Sequence, residues 1–284
     1  MTHRTILIVV GKDAPRAELA ATLEALRPGS AHAVIVILGE MPVFPYYASG
    51  MPFYGTTGVP IEWQERVEAL KSAVETKSDE AKTLLKEHGV SGEVATLICE
   101  PSRVAETIGR RAALCDLAMI GEDLRQSETL FQQIVYGILF DSPIGVVLND
   151  AEGATLATPK RVFIAWNSHL SSARAAHLAL PMLRQAEEVI VATVDPVKGE
   201  FGEGEDPGVD VATWLSHHGC TVTVQQYPSG GQSVGDCILD RARDAGAELI
   251  VMGSYGRSRT REALFGGTTR TLIEQTEQRV FLAH

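Results

Sequence analysis

Residues 246–256 read Gly246-Ala247-Glu248-Leu249-Ile250-Val251-Met252-Gly253-Ser254-Tyr255-Gly256. Four consecutive large apolar residues, Leu249 to Met252, leave no face for water. A strand from Glu248 to Met252 is therefore expected to be covered on both sides, as strands of a parallel sheet are. Gly253 ends it, and a glycine there lets backbone approach a ligand with no Cβ in the way. Immediately upstream, Val234, Ile238, Ala242 and Ala245 recur at helical spacing, which predicts a helix over Ser233 to Ala245 with one buried face. Downstream, nine residues separate Gly256 from Gly266-Gly267-Thr268-Thr269. A last helix opening at about Thr268 offers unpaired N–H groups and the positive end of its dipole, an anion site in outline.

Outward from this stretch, strands and helices alternate. Arg161 to Trp166, Val189 to Val194, Thr221 to Gln226 and Arg279 to Ala283 have strand character. Ser171 to Leu183 and Val209 to His218 have helix character, the latter ending at Gly219. The same order occurs earlier in the chain. Strands are expected at Thr5 to Val10, Ala33 to Leu38, Glu93 to Cys99, Leu117 to Ile120 and Gly145 to Leu148. Helices are expected at Arg16 to Leu26, Ile61 to Glu87 (with Gly89 closing it) and Arg103 to Leu114. Such a repeat predicts an α/β protein of two tandem, doubly wound parallel-sheet domains of five strands each. The polar segment Asn149 to Pro159 is the natural linker, giving domains 1–150 and 160–284, within reach of a 284-residue chain.

Gly39 to Glu62 interrupts the repeat with four prolines, four glycines and five aromatics in 24 residues. A loop of that length is usually a lid, a binding loop or a partner surface; the plainer reading is a loop folded over its own domain. The stretch in the second half, Asp195 to Gly208, is short and acidic.

The two halves differ most after their fourth strands. From Gly253 to Arg270 there are four arginines (Arg257, Arg259, Arg261, Arg270) against Glu262, a balance of +3 in a protein of net −11. From Gly121 to Ile138 there is Arg125 against Glu122, Asp123 and Glu128, a balance of −2, and Leu124 stands where Gly256 would. One half is composed to accept phosphate and the other to repel it.

The pattern Gly253-x2-Gly256-x9-Gly266, with its strand Gly246 to Ser254, resembles the G-x2-G-x9-G-[S/T] signature of the ATP-binding branch of the universal stress protein family. The resemblance covers the second half and, in topology, the first, implying a tandem member with the adenine nucleotide alpha hydrolase-like fold. It implies that Ala165, Trp166 and Asn167, at the end of the first strand, and Val194, at the end of the second, hold the adenosine part. Met252 and Gly253 would flank the ribose, Gly256 and Arg257 line the loop, and Gly266, Gly267, Thr268 and Thr269 meet the phosphates. The chain departs from the family at Asn167, usually Asp, and at Gly267, often Ser or Thr. The resemblance also implies an antiparallel pairing of closing strands, here within the chain between Gly145–Leu148 and Arg279–Ala283, as a pseudo-dimer, with a homodimer as the alternative.

Other chemistries lose support. There is no G-x4-G-K-[S/T] and no G-x-G-x-x-G after a first strand, so P-loop hydrolysis and dinucleotide redox chemistry are disfavoured. No general base is evident near the loop; ATP hydrolysis, if any, is expected to be slow and incidental, and no catalytic or metal-ligating residue is assigned. Trp166 reads first as a sheet-end packing residue. His169, His177, His217 and His218 lack ligand-like spacing. Cys99, Cys115, Cys220 and Cys237 form no CxxC and no Cys/His cluster, which predicts reduced core thiols. The net charge argues against nucleic acid or an anionic membrane. No apolar run nears the roughly 20 residues of a spanning helix, and Thr2-His3-Arg4 leads straight into a strand. A cytoplasmic location follows as an expectation. The function that the resemblance implies is a stress-response regulator that binds ATP, or AMP or ADP, with or without Mg²⁺, and acts on an unidentified protein partner. The alternative is a nucleotide-independent interaction module acting through residues 39–62 or the closing strands.

Overall fold

A computed structural model describes residues 4–45, 60–156, 159–196, 207–254 and 265–284. The first half runs β1 (Thr5–Gly11), α1 (Arg16–Leu26), β2 (His32–Glu40), α2 (Ile61–His88), β3 (Ser91–Cys99), α3 (Pro101–Ala112), β4 (Leu117–Ile120), α4 (Glu128–Asp141) and β5 (Gly145–Leu148). The second runs β6 (Arg161–Ala165), α5 (Leu170–Leu183), β7 (Glu188–Val194), α6 (Val209–His217), β8 (Val222–Tyr227), α7 (Val234–Asp244), β9 (Leu249–Gly253), α8 (Gly267–Glu274) and β10 (Val280–Ala283).

The ten strands form one sheet in the order β3-β2-β1-β4-β5-β10-β9-β6-β7-β8. Within each half every pairing is parallel and the order is the same. The halves meet at β5 and β10, which pair antiparallel with Val280 opposite Leu148 and Leu282 opposite Val146. Gly145 makes room at this seam, since a Cβ there would lie 2.2 Å from the Phe281 ring. With β5 and β10 spent on each other, the open sheet edges are β3 and β8.

Two apolar cores lie on opposite faces, each running through both halves. One is covered by α1, α2, α5 and α6, the other by α3, α4, α7 and α8. The strands are buried on both sides because they are apolar at consecutive positions: Ile6 to Val10 and Leu249 to Met252 are each 5% exposed or less. Helix ends follow local chemistry. Gly89 takes φ +63° and its N–H caps Leu85 O and Lys86 O at the end of α2. The Ser233 hydroxyl accepts the Asp236 N–H at the start of α7, 3.1 Å away.

The expected elements are present with ends moved by a few residues. α3 starts at Pro101, a residue suited to a first helical turn. The helix α4 was not anticipated, although Leu130, Phe131, Ile134, Val135 and Ile138 recur at helical spacing and are buried. The presumed linker is packed: Asp150 accepts the Ala154 and Thr155 N–H groups at 2.8 Å each and pairs with Arg279 at 3.3 Å. Where the aromatic insertion is described, it folds onto its own half. Phe44 packs edge-on to Trp63 at 5.2 Å, and the Trp63 indole N–H donates to Pro42 O at 3.0 Å. Tyr46, Tyr47, Phe53 and Tyr54 lie outside the described residues. All four cysteines are free thiols; Cys99 is only partly buried. Burial pushes the Cys115 thiol up to about 11.

Candidate functional site

In each half the chain steps from the third strand back across the sheet, so β1/β4 and β6/β9 are the points where strand order reverses. Open α/β sheets bind ligands outside the carboxyl ends of their strands at such points. In the second half a crevice of about 340 Å³ lies there. Its floor is apolar, made by Ala165, Ala192, Val194 and Met252 at the strand ends and by Val234 and Ile238 on α7. One rim carries Trp166, Asn167 and His169, and the far end is Gly266 to Thr269 at the start of α8. Ten of the residues expected from the sequence therefore line one cavity: Ala165, Trp166, Asn167, Val194, Met252, Gly253, Gly266, Gly267, Thr268 and Thr269. Gly256 and Arg257, with Arg259 and Arg261, fall outside the described residues.

At the polar end, Gly266 is the residue before α8, and its carbonyl takes the Arg270 N–H at 2.9 Å. The N–H groups of the first helical turn have no intrahelical acceptor, and the helix dipole adds positive potential there. A Cβ on Gly267 would meet nothing within 4 Å. Thr269 is buried and Thr268 half-exposed, and both line the crevice. Gly235 sets how closely α8 lies on α7, since a Cβ there would sit 2.7 Å from Thr271.

Four details depart from expectation. Gly253 borders the crevice, yet its bare Cα faces the first turn of α5: a Cβ would lie 2.4 Å from the Ser172 nitrogen. Its glycine is demanded by helix-on-strand packing. Asn167 Oδ1 accepts the Ser172 hydroxyl at 2.5 Å and the His169 N–H at 3.3 Å. Because a backbone N–H can only donate, the oxygen must face it, and the carboxamide nitrogen is left as a donor on the crevice rim. Arg270, counted among the loop's positive charges, is an exposed partner of Glu274 at 2.5 Å. Val234 is 40% exposed at the crevice rather than part of a buried face.

Trp166 extends the ladder by donating its N–H to Ala192 O at 2.8 Å, and its half-buried ring packs on the core while walling the crevice. Sequence reasoning missed Ala192, Val234, Ile238 and His169 as lining residues. Ala192 was reachable, being two residues before Val194 on the same face of a strand.

The matching position in the first half is filled by the chain itself. A short 3-10 turn, Glu122–Gln126, follows β4 and turns the Asp123 carboxylate over the strand ends, where it accepts the Gly11 N–H at 3.3 Å. Cβ atoms added at Gly11 and Gly121 would lie 2.3 and 2.8 Å from Asp123 oxygens. Leu124 is buried beside it. Burial pushes the Asp123 carboxyl above its ordinary range and Asp13 adds to the rise, while the Gly11 hydrogen bond and Lys77 oppose it. Glu18 is raised by burial and by the neighbouring Glu122 and Asp123.

Among the described residues, no group of three His, Cys, Asp or Glu side chains could hold a metal ion, and no helix is long and apolar enough to cross a membrane. His177 and His218 pack against the Trp214 ring at 4.4 and 4.7 Å.

Residues 222–284, spanning β8 to β10, match the model of the universal stress protein family. The fold of the whole chain is similar to that of a universal stress protein from Archaeoglobus fulgidus DSM 4304, at 15% identity and TM-score 0.64, covering 98% of this chain and 95% of that one. It is also similar to a provisionally assigned universal stress protein from Pseudomonas aeruginosa UCBPP-PA14, at 14% identity and TM-score 0.54, covering 99% and 93%. A functionally unknown protein from Pseudomonas aeruginosa PAO1 shares the fold at 13% identity and TM-score 0.51, covering 99% and 92%. No curated protein matches the sequence at a significant level. The chain thus matches the universal stress protein family over residues 222–284, within a doubled α/β fold similar to that of solved universal stress proteins.

Proposed function

We propose that this is a cytoplasmic stress-response regulator that binds ATP, or the related AMP or ADP, in the crevice of its second half. The observation that carries the reading is one cavity with two unlike ends: an apolar floor at the ends of β6, β7 and β9, and the donor-bearing start of α8. A flat aromatic base fits the first, and an anionic phosphate chain fits the second. Asn167 adds a donor at the rim. The family match supports the same end of the chain, since it spans β9 and α8.

The reading is of a binding protein. Among the described residues no carboxylate lines the crevice, and the one titratable lining side chain is His169, so hydrolysis should be slow beside binding. Mg²⁺ would enter with the phosphates rather than through a cage of protein ligands. Occupancy would fix the start of α8 and so bias a protein partner's binding. Calorimetric titration of the purified chain is the test: one adenine nucleotide per chain is expected, with ATP bound more tightly than adenosine. No heat and no competition with any adenine nucleotide at millimolar levels would remove the proposal.

A further inference from the structure

Arg125 stands four residues after Gly121, and Arg257 stands four residues after Gly253, so the two arginines occupy matching places in the repeat. In the first half the Asp123 carboxylate lies over the strand ends, and Arg125 is turned away to the other half. Its Nη1 donates to Ile273 O at 2.8 Å, its Nη2 to Asn149 Oδ1, and its Nε to Glu122 Oε2 at 2.9 Å. The guanidinium lies 4.2 Å from the Phe131 ring centroid, and the side chain is 17% exposed.

Ile273 belongs to the last turn of α8. Carbonyls there have no intrahelical donor, and a cation at a helix C-terminus is favoured by the dipole. Arg125 therefore caps, from the first half, the helix whose other end is the polar end of the crevice, about 12 Å away for eight residues. Asn149 supports the same grip. It holds a left-handed backbone at φ +61° and donates through Nδ2 to Gln275 O at 3.0 Å and Gln278 O at 2.8 Å, in the turn after α8. The start of α8 is touched from the first half as well, through Phe140 against Phe265 at 6.1 Å.

We infer that Arg125, seconded by Asn149, is a positioning residue for nucleotide binding: it holds α8 so that its first residues, Gly267 and Thr268, keep their place at the crevice of the opposite half. The first half, whose own strand ends are covered by Asp123, is then part of the machinery of the second. This rests on the nucleotide reading above, and the experiment separates the two.

Binding of ATP and of adenosine is measured for the full chain as wild type, Arg125→Met, Arg125→Lys and Asn149→Gly. The last variant deletes the carboxamide while keeping a residue at ease with positive φ. Losing a charged hydrogen bond at the far end of α8 should weaken ATP about tenfold in Arg125→Met and leave adenosine within about twofold. Lysine keeps the charge but not the fork, so its ATP loss should be smaller. Asn149→Gly should repeat the ATP-selective loss and carries the test if Arg125→Met does not fold. Equal losses for both ligands, or none, would overturn the positioning role. If wild type binds ATP no better than adenosine, the nucleotide reading fails instead. The role of Arg125 is then judged by hydrogen exchange at residues 270–274 of ligand-free protein, whose N–H groups bond within α8: faster exchange in the variants upholds the grip, and unchanged exchange ends it.

Discussion

The ends of β4 and β9 occupy equivalent places in one repeat and do opposite things. After β9 the chain borders a crevice and opens a new helix at Gly267, whose first residues line that cavity. After β4 a 3-10 turn lays Asp123 and Leu124 over the strand ends, and α4 has already begun at Glu128. By count from the strand glycine, α4 starts about two turns earlier than α8. A helix that starts early places an acid where the other half places glycine and N–H donors. The same sheet thus has a crevice at one set of strand ends and, at the other, a carboxylate that accepts a strand-end N–H. The difference shows that the two halves share their strand order more closely than the segments that follow their fourth strands.

The largest contrast should come from the strand glycines themselves. Gly253→Ala drives a Cβ onto the backbone of Ser171 and Ser172, which belongs to a packed helix and cannot rotate away. We expect a loss of about 3 kcal/mol in urea unfolding. Gly121→Ala meets the Asp123 carboxylate and the Val10 side chain at 2.8 and 3.0 Å, both able to shift, so its cost should be about 1 kcal/mol. Equal costs would mean that α5 yields as readily as a side chain.

Gly267→Asp separates function from stability at the same helix. Its Cβ has open space, and an acid in a first turn favours the helix by about 0.5 kcal/mol. The melting temperature should hold or rise slightly. ATP affinity should fall about tenfold or more, because a carboxylate then faces phosphate where the dipole favours an anion. Adenosine should be affected far less. Undiminished ATP binding would detach α8 from the site.

Much of this contrast was legible in the chain. Leu249 to Met252 and its counterpart Leu117 to Ile120 announced double-sided burial, and the balance of arginines against acids separated the halves. Gly253, Gly266 and Gly267 border the crevice, but the space that Gly253 leaves is taken by α5, because sequence shows that Gly253 lacks a Cβ and not which neighbour needs the room. α4 is harder to read, because its counterpart in the second half opens seven residues later relative to the strand glycine and so does not align with it. Arg125 could not be interpreted at all: its acceptor, Ile273 O, lies 148 residues away, and local composition carries no trace of such a pairing. Gly256 and Arg257 remain readings of the sequence, outside the described residues.

A smaller effect tests how the first half is satisfied. Burial raises the Asp123 carboxyl in the folded state, so the folded chain holds that proton more tightly than the unfolded one. The stability it contributes is complete below the ordinary carboxyl range and is lost as pH rises through the raised value. Asp123→Asn keeps an oxygen for the Gly11 N–H without the charge. It should be more stable than wild type at pH 7, and the two should converge as the pH falls below the carboxyl range. A constant difference across that span would show that the Asp123 charge costs nothing where it lies.

The smallest effect is expected at Arg270, and its size decides which positive charges matter. By composition it belongs to the arginine cluster after β9, and it follows the crevice-lining Thr269 directly. Its side chain, however, is 64% exposed and spans one turn of α8 to Glu274. An exposed pair of this kind is screened by solvent and salt. Arg270→Ala should therefore leave both melting temperature and ATP affinity unchanged within about twofold. A tenfold loss of ATP, with adenosine unaffected, would mean that Arg270 leaves Glu274 for phosphate on binding. The polar end of the crevice would then rely on a side-chain cation as well as on the helix terminus, and the two halves would differ in charge as much as in backbone.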